Sequence, residues 1–289
     1  MTDSQQPRRI DSHFHFWDPA TRDYPWMPPD LKRAYGPADL RPLLAANGFD
    51  AAILVQTVSE VEETREFLQI AADNDIVAGV VGWVDLIDPQ MPSTLDDIVH
   101  GENGKYLVGL RHQVHDEDDP DWLLQETVQR NLEAIAGHGI VYDLLVRTRE
   151  LPSAITVARD FPHLRFVVDH IAKPPIASGE IDDWAALMRE FAALGNVACK
   201  LSGMVTEADP AGWTPEDLTP YVATVVEIFG PERLMFGSDW PVCTLAASYD
   251  QVVAAARTVL TDLGVLDEAA EATIFGDTAT HWYNLNAIS

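Results

Sequence analysis

Along the 289-residue chain, short apolar runs alternate with longer stretches whose apolar positions recur at helical spacing. The runs predict eight strands: Arg9–Phe16, Ala51–Gln56, Val77–Val84, Val108–Val114, Ile140–Val146, Arg165–Ile171, Val197–Gly203 and Arg233–Asp239. Each is rich in Val, Ile, Leu or Phe and is bounded by Gly, Pro, Asp or Asn. AAILV and VAGVVGWV are near-continuous rather than alternating, the pattern of parallel strands covered on both faces. Between them, Ser59–Asp73, Trp184–Leu194 and Ser248–Leu263 have the helical period. Two further helices are expected to begin at Asp119-Pro120-Asp121 and at Thr214-Pro215-Glu216-Asp217, each with an N-cap residue before a proline at the first helical position. Eight strands alternating with helices predict an α/β fold, a single (β/α)8 TIM barrel. The competing reading, an open doubly wound sheet, lacks its usual support, since no GxGxxG or P-loop follows the first strand.

No low-complexity linker interrupts the pattern, so residues 1–289 are expected to form one barrel domain. The longest expected loop, Trp17 to Pro37, is dense in proline and aromatic residues. Loops of that length are often lids, and a packed surface arm is the other reading.

Composition narrows the partners. A hydrophobic fraction of 47% allows a sizeable core and excludes wholesale disorder. The formal net charge of −27 would repel phosphate backbones and anionic lipid, so neither nucleic acid nor a membrane is expected as a partner. Two cysteines, Cys199 and Cys243, make no disulfide framework, and Met1 to Arg9 lacks the apolar core of a signal peptide. A cytoplasmic protein is expected. A homo-oligomer is compatible with the sequence.

His13 and His15 form an H-x-H pair at the end of the first expected strand, where alternation points both the same way. In a barrel they meet at the C-terminal mouth, and two imidazoles at this spacing can chelate one divalent metal. Alone the pair is weak and also fits two core or surface histidines. Asp239, closing the eighth strand beside the first, can ligate the same metal or take a proton from water. A turn or cap aspartate is the plain alternative. His170, ending the sixth strand, brings a further imidazole to the rim.

With these residues in place, the chain resembles the amidohydrolase superfamily and, within it, the branch of lactonases acting on sugar-derived and pyrone-dicarboxylate lactones. The resemblance runs through RIDSHFHFW, GWVDL, GLRHQV, FVVDHIAKP, CKLSG, LMFGSDWPV and FGDTATHWYNL, nearly the whole chain. It implies the (β/α)8 fold and hydrolysis of a cyclic ester. His13, His15, His170 and Asp239 match the family's HxH, strand-six His and strand-eight Asp. Binuclear members of the superfamily carry a bridging carboxylated Lys or Glu on strand five. The fifth strand here, IVYDLLVRT, offers only Asp143. The resemblance therefore implies at most one divalent ion, zinc first, on His13, His15 and Asp239, and it leaves metal-independent activity open.

Other polar residues fall where a substrate could lie. Arg111 and His112 are neighbours on the fourth strand, so only one can face the interior. Lys200, inside an apolar strand, needs a partner or a role. Lys173 follows His170, Gln56 and Glu60 flank the second strand, and Trp17, Tyr24, Trp26, Trp83 and Trp240 could wall a sugar site. Glu60 is better read as a helix start. Neither cysteine sits as a nucleophile, and no Ser occupies a G-x-S-x-G elbow. The reading is a lactonase for a small lactone substrate. Asp239 serves as general base and acid, His170 and Lys200 join it in catalysis, and Arg111, His112, Trp26 and Lys173 contact substrate. Amide hydrolysis, non-oxidative decarboxylation and a non-catalytic ligand-binding barrel are the alternatives.

Overall fold

The structure, a computed structural model, describes residues 8–287. Eight parallel strands form one sheet in the order β1 to β8: Ile10–Phe14, Ala51–Val55, Val77–Gly82, Leu107–His112, Val141–Leu144, Phe166–Val168, Val197–Leu201 and Leu234–Phe236. β1 and β8 meet beyond the last regular residue of β8. Phe14 bridges Trp240, His15 N donates to Trp240 O at 2.8 Å, and Asp239 N donates to His13 O at 2.8 Å. This closes the expected (β/α)8 barrel.

All eight strands fall where the apolar runs place them, but most are shorter. β6 and β8 keep only three residues each. His170 and Asp239 therefore lie past their strands rather than ending them. The chain turns at both, with φ of 53° at His170 and 57° at Asp239.

Two apolar layers follow from strand alternation. One set, including Phe14, Leu54, Leu110, Tyr142, Phe166 and Phe236, packs outward against the surrounding helices. The other, including Ile10, Ile53, Val81, Val141, Val167 and Met235, fills the barrel interior. The helix Thr278–Trp282 and the residues after it complete that inner cluster with Ala279, Trp282, Tyr283 and Leu285.

The helix Pro215–Phe229 starts as expected, with Thr214 and Asp217 forming a reciprocal capping box. Ser248 caps Tyr249–Asp262 in the same way. Asp119 is a correction. It accepts from Asp121 N in a local turn, Trp122–Leu124 forms one 3-10 turn, and the α-helix begins only at Glu126. Trp122 and Leu123 are buried there, so tertiary packing overrides the local cap signal. The stretch Trp184–Leu194 is split, with an α-helix over Asp182–Met188 and a 3-10 turn over Arg189–Ala193.

The Trp17–Pro37 loop is a packed arm. Trp17 and Tyr35 pair through two backbone hydrogen bonds, and Trp17 Nε1 donates to Leu31 O. Trp17, Tyr24, Met27, Leu31 and Tyr35 are all buried.

Candidate active site

Four predicted residues converge at the mouth. His13 Nε2 lies 3.2 Å from His15 Nε2, and Asp239 Oδ1 lies 3.4 Å from His15 Nε2 and 3.9 Å from His13 Nε2. The His170 ring sits 4.4 Å from that of His13, centroid to centroid. All four are buried. The register of β1 shifts between Asp11 and Phe14. Such a bulge lets the strand carry Ile10 into the inner apolar cluster while His13 and His15 face the same centre.

Asp11 anchors the bulge. Its Oδ1 accepts from His13 N and Ser238 N, and its Oδ2 accepts from Tyr249 OH. Burial pushes its carboxyl up to about 6 against the pull of these donors. Asp11 thereby ties the end of β1 to the segment after β8 and sets the approach of His13 to Asp239.

Two glycines make room for the imidazoles. A Cβ on Gly237 would lie 2.7 Å from His13 Cβ, and one on Gly203 would lie 2.6 Å from His170 Nδ1. Ser202 Oγ holds His170 Nδ1 at 2.8 Å. The turn that presents His170 keeps four consecutive residues, His170 to Lys173, at positive φ, including β-branched Ile171 at 47°. Backbone in this region is costly for such residues and persists where surrounding packing enforces it.

Below the mouth lies a buried ionic network. Lys200 Nζ meets Asp143 Oδ2 at 2.6 Å, Asp169 Oδ1 at 2.9 Å and His13 Nδ1 at 3.3 Å. Arg111 Nη1 donates to Asp169 Oδ2 at 3.0 Å, and its Nη2 donates to both Gln56 O and Gln56 Oε1. Two cations thus face two carboxylates, which answers the cost of burying each charge alone. Burial opposes ionisation of Asp169, yet Lys200, His13 and Arg111 hold it well below the usual carboxylate range. Burial, opposed by Lys200, pushes Asp143 up to about 6.

The mouth groups are tuned alike. Burial drives His13 and His170 well below the ordinary imidazole value, so both are neutral at pH 7. Asp239 is buried too, but His170 and His15 keep it below its usual value and ionised.

The remaining predicted residues lie around or beneath this cluster rather than in it. Arg111 faces the interior, so His112 faces out. Its Nδ1 accepts from Trp83 Nε1, its Nε2 donates to Glu117, and it stacks on Trp122. Lys173 pairs with Glu207 at 2.5 Å. Trp26 is 40% exposed on the arm, edge-on to Trp17, which in turn lies 6.4 Å from His15 by ring centroids. Glu60 is the N-cap residue of Val61–Asp73 and accepts from Arg22. Asp11, Asp169, Ser202, Gly203, Gly237 and Tyr283 also belong to the site and its support, and none stands out in the sequence as a site residue. A carboxylate within apolar VVDH was the one available signal for Asp169.

The donor set fits a metal ion. Tetrahedral ligands at zinc's usual bond lengths stand about 3.3 Å apart, close to the His13, His15 and Asp239 spacings. His13, His170 and Asp239 also offer ligand atoms within 4.8 Å of one another. His15 Nδ1 lies 2.8 Å from Val55 O, and in the tautomer that donates there its Nε2 lone pair can take a metal ion at the centre. Asp169 stands 3.4 Å behind His13 Nδ1, as carboxylates commonly back ligating histidines.

No helix among the described residues is long and apolar enough to cross a membrane. The chain is similar to an L-fucono-1,5-lactonase of Burkholderia ambifaria, 40% identical over 96% of each chain. One from Burkholderia multivorans is 39% identical over 96% of each. A crystal structure of a Burkholderia multivorans amidohydrolase with bound zinc superposes with a TM-score of 0.88 at 38% identity, covering 96% of this chain and 99% of that one. The amidohydrolase family pattern matches residues 10–285, and with the barrel and its convergent His and Asp groups this places the chain in the amidohydrolase family.

Proposed function

We propose that the protein, acting as one barrel domain, is a lactonase that opens a sugar-derived lactone to its hydroxy acid. A 1,5-lactone of a sugar acid is the first choice, by likeness to the fuconolactonases. The observation that carries the mechanism is the buried Asp239 carboxylate 3.4 Å from His15 at the barrel mouth, beside His13 and His170. Asp239 takes a proton from water as its oxygen attacks the lactone carbonyl, and returns it to the ring oxygen as the ester bond breaks. Neutral His170 stabilises the developing oxyanion. When Ser202 donates to its Nδ1, its Nε2 carries the proton and becomes a donor. A zinc ion on His13, Asp239 and either His15 or His170 would supply Lewis acidity there. Arg111 and Lys200 act beneath these groups, as the buried charges that fix His13 and Asp169. Trp26 and Lys173 lie on loops around the mouth and are the proposed outer contacts for the sugar.

The test is a panel of 1,4- and 1,5-aldonolactones, followed by acid release in weak buffer on protein of measured metal content. Ring opening with a preference for one sugar configuration is expected. Inertness toward every lactone, with turnover of an amide or an aromatic acid, would replace this reading with another amidohydrolase chemistry.

A further inference from the structure

The C-terminal segment reaches the site from the side opposite the mouth. Tyr283 is buried, and its hydroxyl lies 2.8 Å from both oxygens of Asp143. Asp143 holds the Lys200 ammonium, which stands over the Tyr283 ring at 5.3 Å and reaches Asp169 and His13 Nδ1. A continuous line of polar contacts therefore runs Tyr283, Asp143, Lys200, His13 through the barrel interior. We propose that Tyr283 is a positioning residue for the site, acting through Asp143 and Lys200 on the His13 ring.

Filling the barrel needs only apolar bulk, which Ala279, Trp282 and Leu285 supply in the same cluster. A phenylalanine ring would serve equally. The hydroxyl adds one thing, a donor to Asp143, and burying a hydroxyl is unfavourable unless it is hydrogen-bonded. Held from below by the phenol, Asp143 keeps one rotamer and fixes the end of the flexible Lys200 stem. That placement matters because two opposite partners compete at His13 Nδ1: Lys200 can only donate to it, and Asp169 can only accept from it. Their relative distance decides which ring nitrogen of His13 carries its proton and how its Nε2 faces Asp239.

The inference rests on the lactonase reading for its kinetic arm. The experiment compares Tyr283→Phe, which removes one oxygen, with Leu285→Ala, which removes packing from the same cluster. Lactone kinetics, thermal midpoint and zinc affinity of the chelator-stripped protein are measured for each. Tyr283→Phe is expected to lower kcat about tenfold with KM within about twofold, and to weaken zinc binding by about tenfold, the scale of partners that orient metal-ligating histidines. Leu285→Ala is expected to lower the thermal midpoint and leave kcat and zinc affinity near native. Native kcat and zinc affinity in Tyr283→Phe would overturn the proposal, as would equal kcat losses in the two variants. Inactivity of the native protein on all lactones would count against the lactonase reading alone, and the zinc titration would still decide the role of Tyr283.

Discussion

Gly203 lies beneath the His170 ring, so close that a Cβ at this position would stand 2.6 Å from Nδ1 and 2.7 Å from Cγ. Its φ of 63° also disfavours any side chain. Gly203→Ala is therefore expected to push His170 off its seat and strain the turn. Activity should fall by up to about 100-fold, as for a catalytic group misplaced by an ångström. Stability should fall by about 1–3 kcal/mol. Steady-state kinetics beside urea unfolding check both, and native activity would mean that the ring has room to move.

Asp239→Asn keeps the size and one oxygen but loses the carboxylate proposed as base. It should fold normally and still bind lactone, with turnover reduced by roughly 10²–10⁴-fold. Because the Asp239 carboxyl lies below its usual value, the native enzyme should keep this proposed base ionised wherever a free aspartate is ionised. Near-native turnover by the Asn variant would remove Asp239 from the mechanism.

Lys200→Met should unfold at lower denaturant than almost any surface substitution. It strands Asp143 and Asp169 without their ammonium, and breaking a buried pair from one side typically costs about 3–5 kcal/mol. Urea midpoints measure it. A loss below about 1 kcal/mol would show that the two carboxylates take protons or water without penalty.

His115 supplies a pH signature away from the mouth histidines. Burial, aided by Lys173, Arg147 and Arg111, lowers its pKa to about 4. Unfolded, it titrates near 6.5, so below that pH the unfolded chain binds the extra proton. Stability should be full above pH 6.5 and fall as pH drops towards 4, with His115 contributing on the order of 3 kcal/mol. His115→Gln should flatten this slope. Equal slopes in urea unfolding at pH 7 and 4.5 would assign the acid sensitivity to other groups.

Metal content should reach at most one tightly held ion per chain. Asp143 and Asp169, the carboxylates beside the candidate ligands, already serve the Lys200 ammonium and are not free to hold a second ion. Elemental analysis after zinc loading and desalting gives the number, and two tight equivalents would contradict it.

What the sequence determined by itself is the barrel and the rim of its mouth. Near-continuous apolar runs bounded by turn residues suit strands covered on both faces, and eight of them in alternation with helices favour a closed barrel. Alternation along a strand puts His13 and His15 on one side, and Asp239 follows because the eighth strand neighbours the first. These inferences use local period and chain order, which sequence carries directly. Strand ends and the Asp119 start were less legible, because packing of Trp122 and the turns at His170 and Asp239 outweigh local propensity. The layer beneath the site was decided only in three dimensions. Asp143, Asp169, Lys200 and Tyr283 come from different parts of the chain, and no period links them. Asp143, Asp169 and Lys200 each read alone as an anomaly in an apolar stretch, and Tyr283 reads as one more aromatic. A buried charge finds its partner through space, by the need to satisfy it in a low dielectric, and that need leaves no spacing in the sequence.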